Sequence, residues 1–228
     1  DFFNDICQLS NANINSSSII ILNIIQGIKE GLMDNLLEDV INDEKKEIIK
    51  KSNDILFQIT SSFSQMYKKS DNISSIILGE CENILKDKYN ISENETLIIF
   101  KTEKYIEGLL IPLIEYEIFN PETKEQLDLN YCKKSRNTFD ILIPVNIKEN
   151  YLYKYDPNNS YYNDICYTHT SEYGTDITLY DRKNEFNEKK LALCFNNCQN
   201  YGFDKQHSKS ICRCQISDRV SLYSEINA

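Results

Sequence analysis

Eight cysteines constrain this sequence more than any other feature, because a chain of 228 residues seldom keeps so many thiols unless they pair or hold metal. The number is even, and five of them lie in the last third of the chain. Paired cysteines persist in oxidising compartments. The sequence therefore predicts a secreted or cell-surface protein whose disulfides use the full set: Cys7, Cys81, Cys132, Cys166, Cys194, Cys198, Cys212 and Cys214.

The last four cysteines form the densest group, with the spacing Cys194-x3-Cys198-x13-Cys212-x-Cys214. Four thiolates in a tetrahedron could also bind zinc, although the two-residue gap common in structural zinc sites is absent. Disulfides account better for the whole set of eight. We predict the pairs Cys194 with Cys212 and Cys198 with Cys214, one of the many pairings that eight cysteines allow.

Asparagine sequons agree with a secretory route. The pattern Asn-x-Ser/Thr marks a surface asparagine that accepts a glycan in secreted proteins. It occurs here at Asn15, Asn72, Asn90, Asn94 and Asn158. Because the chain is rich in Asn, Ser and Thr, the cysteines carry more weight in this argument than the sequons.

Charge excludes two classes of partner. The net charge is −10, and no stretch gathers enough Lys or Arg to neutralise a row of phosphates, so nucleic-acid binding is not expected. The acidity also disfavours anionic lipid. No apolar run approaches the roughly 20 residues that a membrane helix needs, so we expect no membrane insertion by this segment.

Helical periodicity dominates the first third of the chain. Apolar residues from Ser16 to Asn42 recur every three or four positions, which predicts an amphipathic helix. A second helical stretch is predicted near Glu44, in EKKEIIKK, while Asp54 to Thr60 fits a helix or a strand. The segment 79–89 predicts a short helix that carries Cys81 and ends at Asn90.

Strand-like alternation follows in ETLIIFK, LIPLIEYEIF, EQLDLNY and TFDILIPVNI. Turn residues 120–124 (NPETK) separate two of these runs and predict an antiparallel meander. One face of the second run should be exposed to solvent. The other face, with Ile114, Tyr116 and Ile118, should pack against the core.

These patterns predict an α+β fold, with N-terminal helices, then an antiparallel β-sandwich or meander, then a disulfide-rich C-terminal cap. The expected divisions are a mainly helical subdomain at 1–92, a β subdomain at 93–150 and a cysteine-rich cap at 151–228 packed on the β subdomain. The cap holds too few apolar residues for an independent core, so disulfides should stabilise it.

Candidate binding residues lie in this cap. Tyrosines concentrate between positions 151 and 173, and Tyr161 with Tyr162 could belong to a binding patch or could cover a small core. Asp156 and Asp164, near Asn158, are oxygen donors of the type that calcium prefers, without the spacing of an EF-hand loop. A solvated turn is the alternative. Apart from this calcium site, no cofactor or metal is expected.

Catalytic patterns are sparse. A nucleophilic triad needs a histidine between a carboxylate and a hydroxyl or thiol. His169-Thr-Ser-Glu172 supplies those residue types outside any recognised motif, which leaves a hydrolase as a remote alternative. We therefore expect a protein that is not an enzyme.

Several stretches resemble a recurring module of large cysteine-rich surface glycoproteins from AT-rich protist genomes. The resemblance covers residues 54–215 and rests on ISSIILGECENILKDKYNI, EYEIF-NPETKEQLDL-NYC, KYDPNNSYYNDICYTHTSEYGTDITLYDRKNEF and LCFNNCQNYGFD. It implies a membrane-proximal ectodomain segment with a structural or adhesive role, which contacts other chains or neighbouring domains of the same glycoprotein. A ligand-binding or calcium-binding receptor ectodomain is the alternative function.

A weaker resemblance is to the GAIN domain with its GPS motif, through the order of helices, strands and a terminal Cys-x-Cys. Cleavage in that family depends on a His-Leu-Ser/Thr tripeptide soon after the last cysteine. Here Cys214 is followed by Gln-Ile-Ser-Asp, without the histidine. The resemblance therefore implies a fold, but not self-cleavage at Ser217.

Overall fold

The computed structural model describes residues 40–41, 47–52, 54–67, 72–134, 137–156, 158–188, 191–195 and 197–215. The strands in these ranges are β1 (Ile48–Ser52), β2 (Ile55–Ser61), β3 (Ser75–Ile77), β4 (Ile98–Lys104), β5 (Leu113–Phe119), β6 (Thr138–Pro144), β7 (Cys198–Asp204) and β8 (Lys209–Gln215). The helices are α1 (Ser62–Tyr67), α2 (Glu80–Tyr89), α3 (Asn130–Lys134), a 3₁₀ helix (Glu149–Tyr155), α4 (Ser160–Asn163) and α5 (Leu179–Glu188).

The strands form two antiparallel sheets. The first sheet has the order β1-β2-β4-β5 and the second has the order β3-β6-β8-β7. Helices and two antiparallel sheets confirm the α+β prediction. The strand order crosses the predicted subdomain boundaries, because the first sheet combines strands from 1–92 and 93–150, and the second takes strands from all three divisions.

Of the two helical stretches predicted near the N-terminus, the second is wrong in its described part. The described residues of that stretch, EKKEIIKK, form strand β1 from Ile48 onward, and the predicted helical subdomain contains three strands. Ile48 lies opposite Ile59, so pairing with β2 decides the conformation of a segment whose own preference is weak. The ambiguous segment 54–60 lies mostly in β2. Most of the predicted helix from Ser16 to Asn42 lies outside the described residues.

Helix α2 confirms the local prediction. It spans Glu80–Tyr89, and Asn90 takes the left-handed conformation (φ 53°, ψ 40°) with its N–H donating to the carbonyl of Lys86. Asparagine tolerates this conformation better than most residues, which explains why the helix ends there. Cys81 and Leu85 on this helix are fully buried.

Strand β5 also follows the predicted alternation, since Ile114, Tyr116 and Ile118 are buried and the residues between them are half-buried. The turn after β5 is confirmed, with the Asn120 side chain accepting hydrogen bonds from the N–H groups of Glu122 and Thr123. The meander ends there. The run EQLDLNY, predicted as a strand, makes a single bridge from Gln126 to β5 and then leads into α3.

One hydrophobic core joins the two sheets. Residues of β4 and β5 pack in it with residues of β6 and β8, and the Tyr116 and Phe139 rings meet edge to face across the layer, with centroids 5.4 Å apart. Helix α2 and all three described cystines complete this core. The opposite face of the first sheet is apolar too, and Val40 packs on it against Phe57, Ile59, Ile98, Phe100 and Phe119. The first sheet therefore has apolar residues buried on both of its faces.

Ile118→Ala is expected to lower the free energy of unfolding by about 2 to 5 kcal/mol, because losing most of this fully buried side chain leaves a cavity in a packed core. Urea denaturation followed by circular dichroism measures the loss. Ile165→Ala is the matched control, since Ile165 is 80 % exposed and its truncation should change stability by less than about 0.5 kcal/mol. Equal effects at the two positions would contradict this description of the core.

Candidate functional site

Three disulfides link the described segments covalently. Cys81 on α2 pairs with Cys132 on α3, Cys194 pairs with Cys212, and Cys198 pairs with Cys214. The last two are the predicted pairs and are confirmed. The zinc alternative for these four cysteines is wrong, because each sulfur is bonded to another sulfur rather than available to a metal.

Cys166 is exposed and forms no disulfide with the cysteines of the described ranges, so its pairing stays a prediction. Its backbone N–H donates to the carboxylate of Asp164 in a tight turn. Cys7, the remaining cysteine, lies outside the described residues.

Alkylation of the folded, non-reduced protein is expected to label at most two of the eight cysteines, because six are held in disulfides. Intact-mass measurement counts the labels, and peptide mapping locates them. Reduction and denaturation before alkylation should raise the number to eight, which serves as the control. Three or more labels on the native protein would contradict the disulfide arrangement.

The two tyrosines of the predicted binding patch lie in an interior. Tyr161 and Tyr162 are buried, and their rings meet edge to face with centroids 4.7 Å apart. The Tyr162 hydroxyl donates to the carbonyl of Lys154 at 2.7 Å. Burial raises the pKa of both phenols. These two rings belong to a small core, as the alternative interpretation held, and are not available as a contact surface.

Arg182 organises this small core. The residue is 1 % exposed, and its guanidinium donates to the carbonyls of Asp164, Tyr167 and Ile177 at 2.7 to 3.0 Å. It also lies over the Tyr161 ring, 5.3 Å from the centroid. A planar guanidinium has several N–H donors and can therefore bind carbonyls from several backbone segments at the same time. Arg182 thus takes the place of the aliphatic residues that this region lacks.

The predicted calcium ligands are engaged in local turns. Asp156 accepts a hydrogen bond from the N–H of Asn158 at 2.9 Å, and Asp164 accepts from the N–H of Cys166 at 2.8 Å. Within the described ranges, no group of three or more His, Cys, Asp or Glu side chains has an arrangement that could hold a metal ion. Both carboxylates therefore lie in the turns that the solvated-turn alternative supposed, and the calcium site stays a prediction.

His169, the histidine of the hydrolase alternative, has a packing role. Its ring meets the Tyr161 ring edge to face, with centroids 5.1 Å apart, and its carbonyl accepts from the N–H of Ile177. The structure places it against an aromatic ring rather than between a carboxylate and a hydroxyl.

A buried polar cluster that the sequence did not reveal lies where the chain enters the second sheet. We call it the Ser74 cluster; its members are Ser74, Lys101, Glu103 and Lys209, all at most 1 % exposed. Glu103 Oε1 accepts from the Ser74 hydroxyl at 2.5 Å and from the Ser74 N–H at 2.8 Å. The Lys101 ammonium lies 3.0 Å from the same carboxylate oxygen and 3.0 Å from Ser74 Oγ, and also donates to the Ser74 carbonyl.

Lys209 approaches the same segment from the second sheet. Its ammonium donates to the carbonyl of Ile73 at 2.8 Å and to the hydroxyl of Ser75 at 3.2 Å. The other oxygen of Glu103 accepts from the Tyr105 hydroxyl at 2.8 Å. The backbone from Ile73 to Ser75 is therefore held between charged side chains of both sheets.

The charges of the Ser74 cluster depend on each other. Burial alone would raise the pKa of Glu103, but the Lys101 charge and hydrogen bonds from Ser74, Lys101 and Tyr105 outweigh it and lower the pKa. Burial lowers the pKa of Lys101, against the opposing charge of Glu103. Because the pKa of Glu103 is depressed, its contribution to stability is present above pH 4.5 and is lost as the pH falls through the lower, folded-state value.

The alternation of side chains along β4 could have predicted that Lys101 and Glu103 belong to this cluster. Lys101 and Glu103 continue the face of β4 on which Ile99 points into the core. The predicted run ETLIIFK stopped at Lys101 and did not reach Glu103. Lys209 carries no such signal, because it reaches Ile73 only through the tertiary fold.

Lys101→Met is expected to lower the free energy of unfolding by about 3 to 5 kcal/mol at pH 7, because it leaves Glu103 buried without its cation. Chemical denaturation measures this change, and the difference from wild type should narrow below pH 4.5 as Glu103 of the wild type takes up a proton. Lys50→Met, at an exposed position of β1, is the control and should change stability by less than about 0.5 kcal/mol. A fully stable Lys101→Met protein would show that the pair does not support the fold.

Four sequon asparagines, Asn72, Asn90, Asn94 and Asn158, are exposed on turns or at a helix end. Asn15 lies outside the described residues. Among the helices of the described chain, none has the length and apolar character needed to cross a membrane. Compared with known protein families, curated proteins and solved structures, the chain shows no match.

Proposed function

We propose that this chain is an extracellular structural or adhesive module of a cell-surface glycoprotein and that it does not act as an enzyme on other molecules. The observation that carries the proposal is the set of three disulfides, which tie both helical and strand segments. Disulfides form and persist on the cell surface and in secreted proteins, and are rare in reducing compartments.

The distribution of the disulfides supports a load-resisting role. Two of them link β8 covalently to Cys194 and to Cys198, since Cys212 and Cys214 are both on this strand. The third joins α2 to α3 beside the core. A region poor in aliphatic residues is thereby held by covalent links and by Arg182, as expected of a module exposed outside the cell.

The exposed sequons support the glycoprotein assignment. Each glycan is a bulky hydrophilic group that needs a surface position, and the four described asparagines have one. They lie apart in the chain, on the turns before β3, after α2, before β4 and before α4. The partners that fit such a module are neighbouring domains of the same glycoprotein or other protein chains.

Expression through a eukaryotic secretory pathway is expected to give a protein that carries N-glycans and loses mass on treatment with an N-glycosidase. Ser160→Ala should remove one glycan, because it destroys the sequon of Asn158 while leaving the asparagine in place. The exposed Ser160 makes this change mild for the fold.

Ser171→Ala is the control, since Ser171 belongs to no sequon and its substitution should leave the glycan mass unchanged. A secreted, folded protein without any glycan would remove the glycoprotein assignment. Retention of unfolded, reduced chains in the secretory pathway would remove the extracellular assignment.

A further inference from the structure

The Ser74 cluster surrounds the peptide bond between Ile73 and Ser74 with charged and polar groups. The Ser74 hydroxyl donates to Glu103 at 2.5 Å, and Lys101, 3.0 Å from the same oxygen, keeps this carboxylate ionised and so able to accept a proton. The carbonyl oxygen of Ile73 accepts from the Lys209 ammonium at 2.8 Å, which polarises the carbon next to it. A nucleophile, a base and an oxyanion donor therefore face the same bond.

We propose that the chain cleaves itself once between Ile73 and Ser74. Ser74 Oγ attacks the carbonyl carbon of Ile73 and its proton passes to the Glu103 carboxylate. The negative charge that develops on the Ile73 oxygen is stabilised by Lys209. The carbon–nitrogen bond then breaks, and the electron pair stays on the nitrogen of Ser74.

The proton has a direct route to the leaving nitrogen. Glu103 Oε1 contacts both the Ser74 hydroxyl and, at 2.8 Å, the Ser74 N–H. The same oxygen therefore takes the proton from Oγ and returns it to the nitrogen, which becomes a free amino group. The product is an ester between the Ile73 carbonyl and Ser74 Oγ. A water molecule hydrolyses this ester and leaves a carboxylate on Ile73 and a hydroxyl on Ser74.

Burial explains why the reaction is confined to the chain itself. Ser74, Glu103 and Lys209 are at most 1 % exposed, so an external peptide or other substrate much larger than water has no access to the hydroxyl. The carbonyl that precedes a serine is always close to its hydroxyl, which gives an intramolecular attack a large advantage in effective concentration. The proposal is independent of the extracellular assignment, since its groups are protein side chains and water.

The purified full-length protein, incubated at neutral pH with and without hydroxylamine, tests the proposal by intact mass under denaturing, reducing conditions. We expect one fragment that ends at Ile73 and another that begins at Ser74, with faster release in hydroxylamine because it attacks the ester. The sequence favours this reagent, because the chain contains no Asn-Gly bond that it would also cleave. A single intact mass after prolonged incubation of folded protein would overturn the proposal.

Variants separate the chemistry from folding. Ser74→Ala should abolish cleavage, whereas Ser74→Cys should retain it through a thioester. Lys209→Met should slow cleavage by about 10² to 10³-fold, as removal of an oxyanion donor does in other acyl transfers. Ser64→Ala, at another buried serine, is the control and should cleave at the wild-type rate. Cleavage that persists in Ser74→Ala would assign it to another cause and overturn the proposal.

Discussion

The structure depends on how the chain passes from the first sheet to the second, and buried charges fix that passage. The segment from Ile73 to Ser75 follows helix α1 and leads into β3. Lys101 and Glu103 hold it from the first sheet, and Lys209 holds it from the second. Burying these charges is costly, so the arrangement depends on nearly every donor finding an acceptor. A shift of this segment by one residue would leave several charges unpaired in the core.

The C-terminal region is stabilised by different means. Its aliphatic residues are few and its helices short, so apolar burial alone is a weak source of stability there. Arg182 binds three backbone carbonyls in one place, and the disulfides join Cys194 and Cys198 to β8. The guanidinium and the covalent links act on neighbouring segments, and together they replace the continuous core found between the sheets.

The sequence predicted features governed by neighbouring residues and missed those governed by distant ones. The end of α2 at Asn90, the faces of β5 and the two C-terminal disulfide pairs followed from local patterns. Strand β1 and the role of Lys209 did not, because each is decided by a partner far along the chain. Composition could not predict that Tyr161 and Tyr162 are buried, because a cluster of tyrosines looks the same in a sequence whether the rings are buried or exposed. The path of the chain, rather than residue type, decides that difference.

The disulfides also divide the molecule mechanically. All three described cystines lie C-terminal to Ser74, whereas β1 and β2 come before it. The first two strands are therefore held to the described remainder by the pairing of β2 with β4, by apolar contacts on the sheet faces and by one peptide connection through Ile73. The Ser74 cluster lies at that single connection. The proposed cleavage at Ser74 would leave the described disulfides within the segments that follow it, whereas the described contacts of β1 and β2 with those segments are non-covalent.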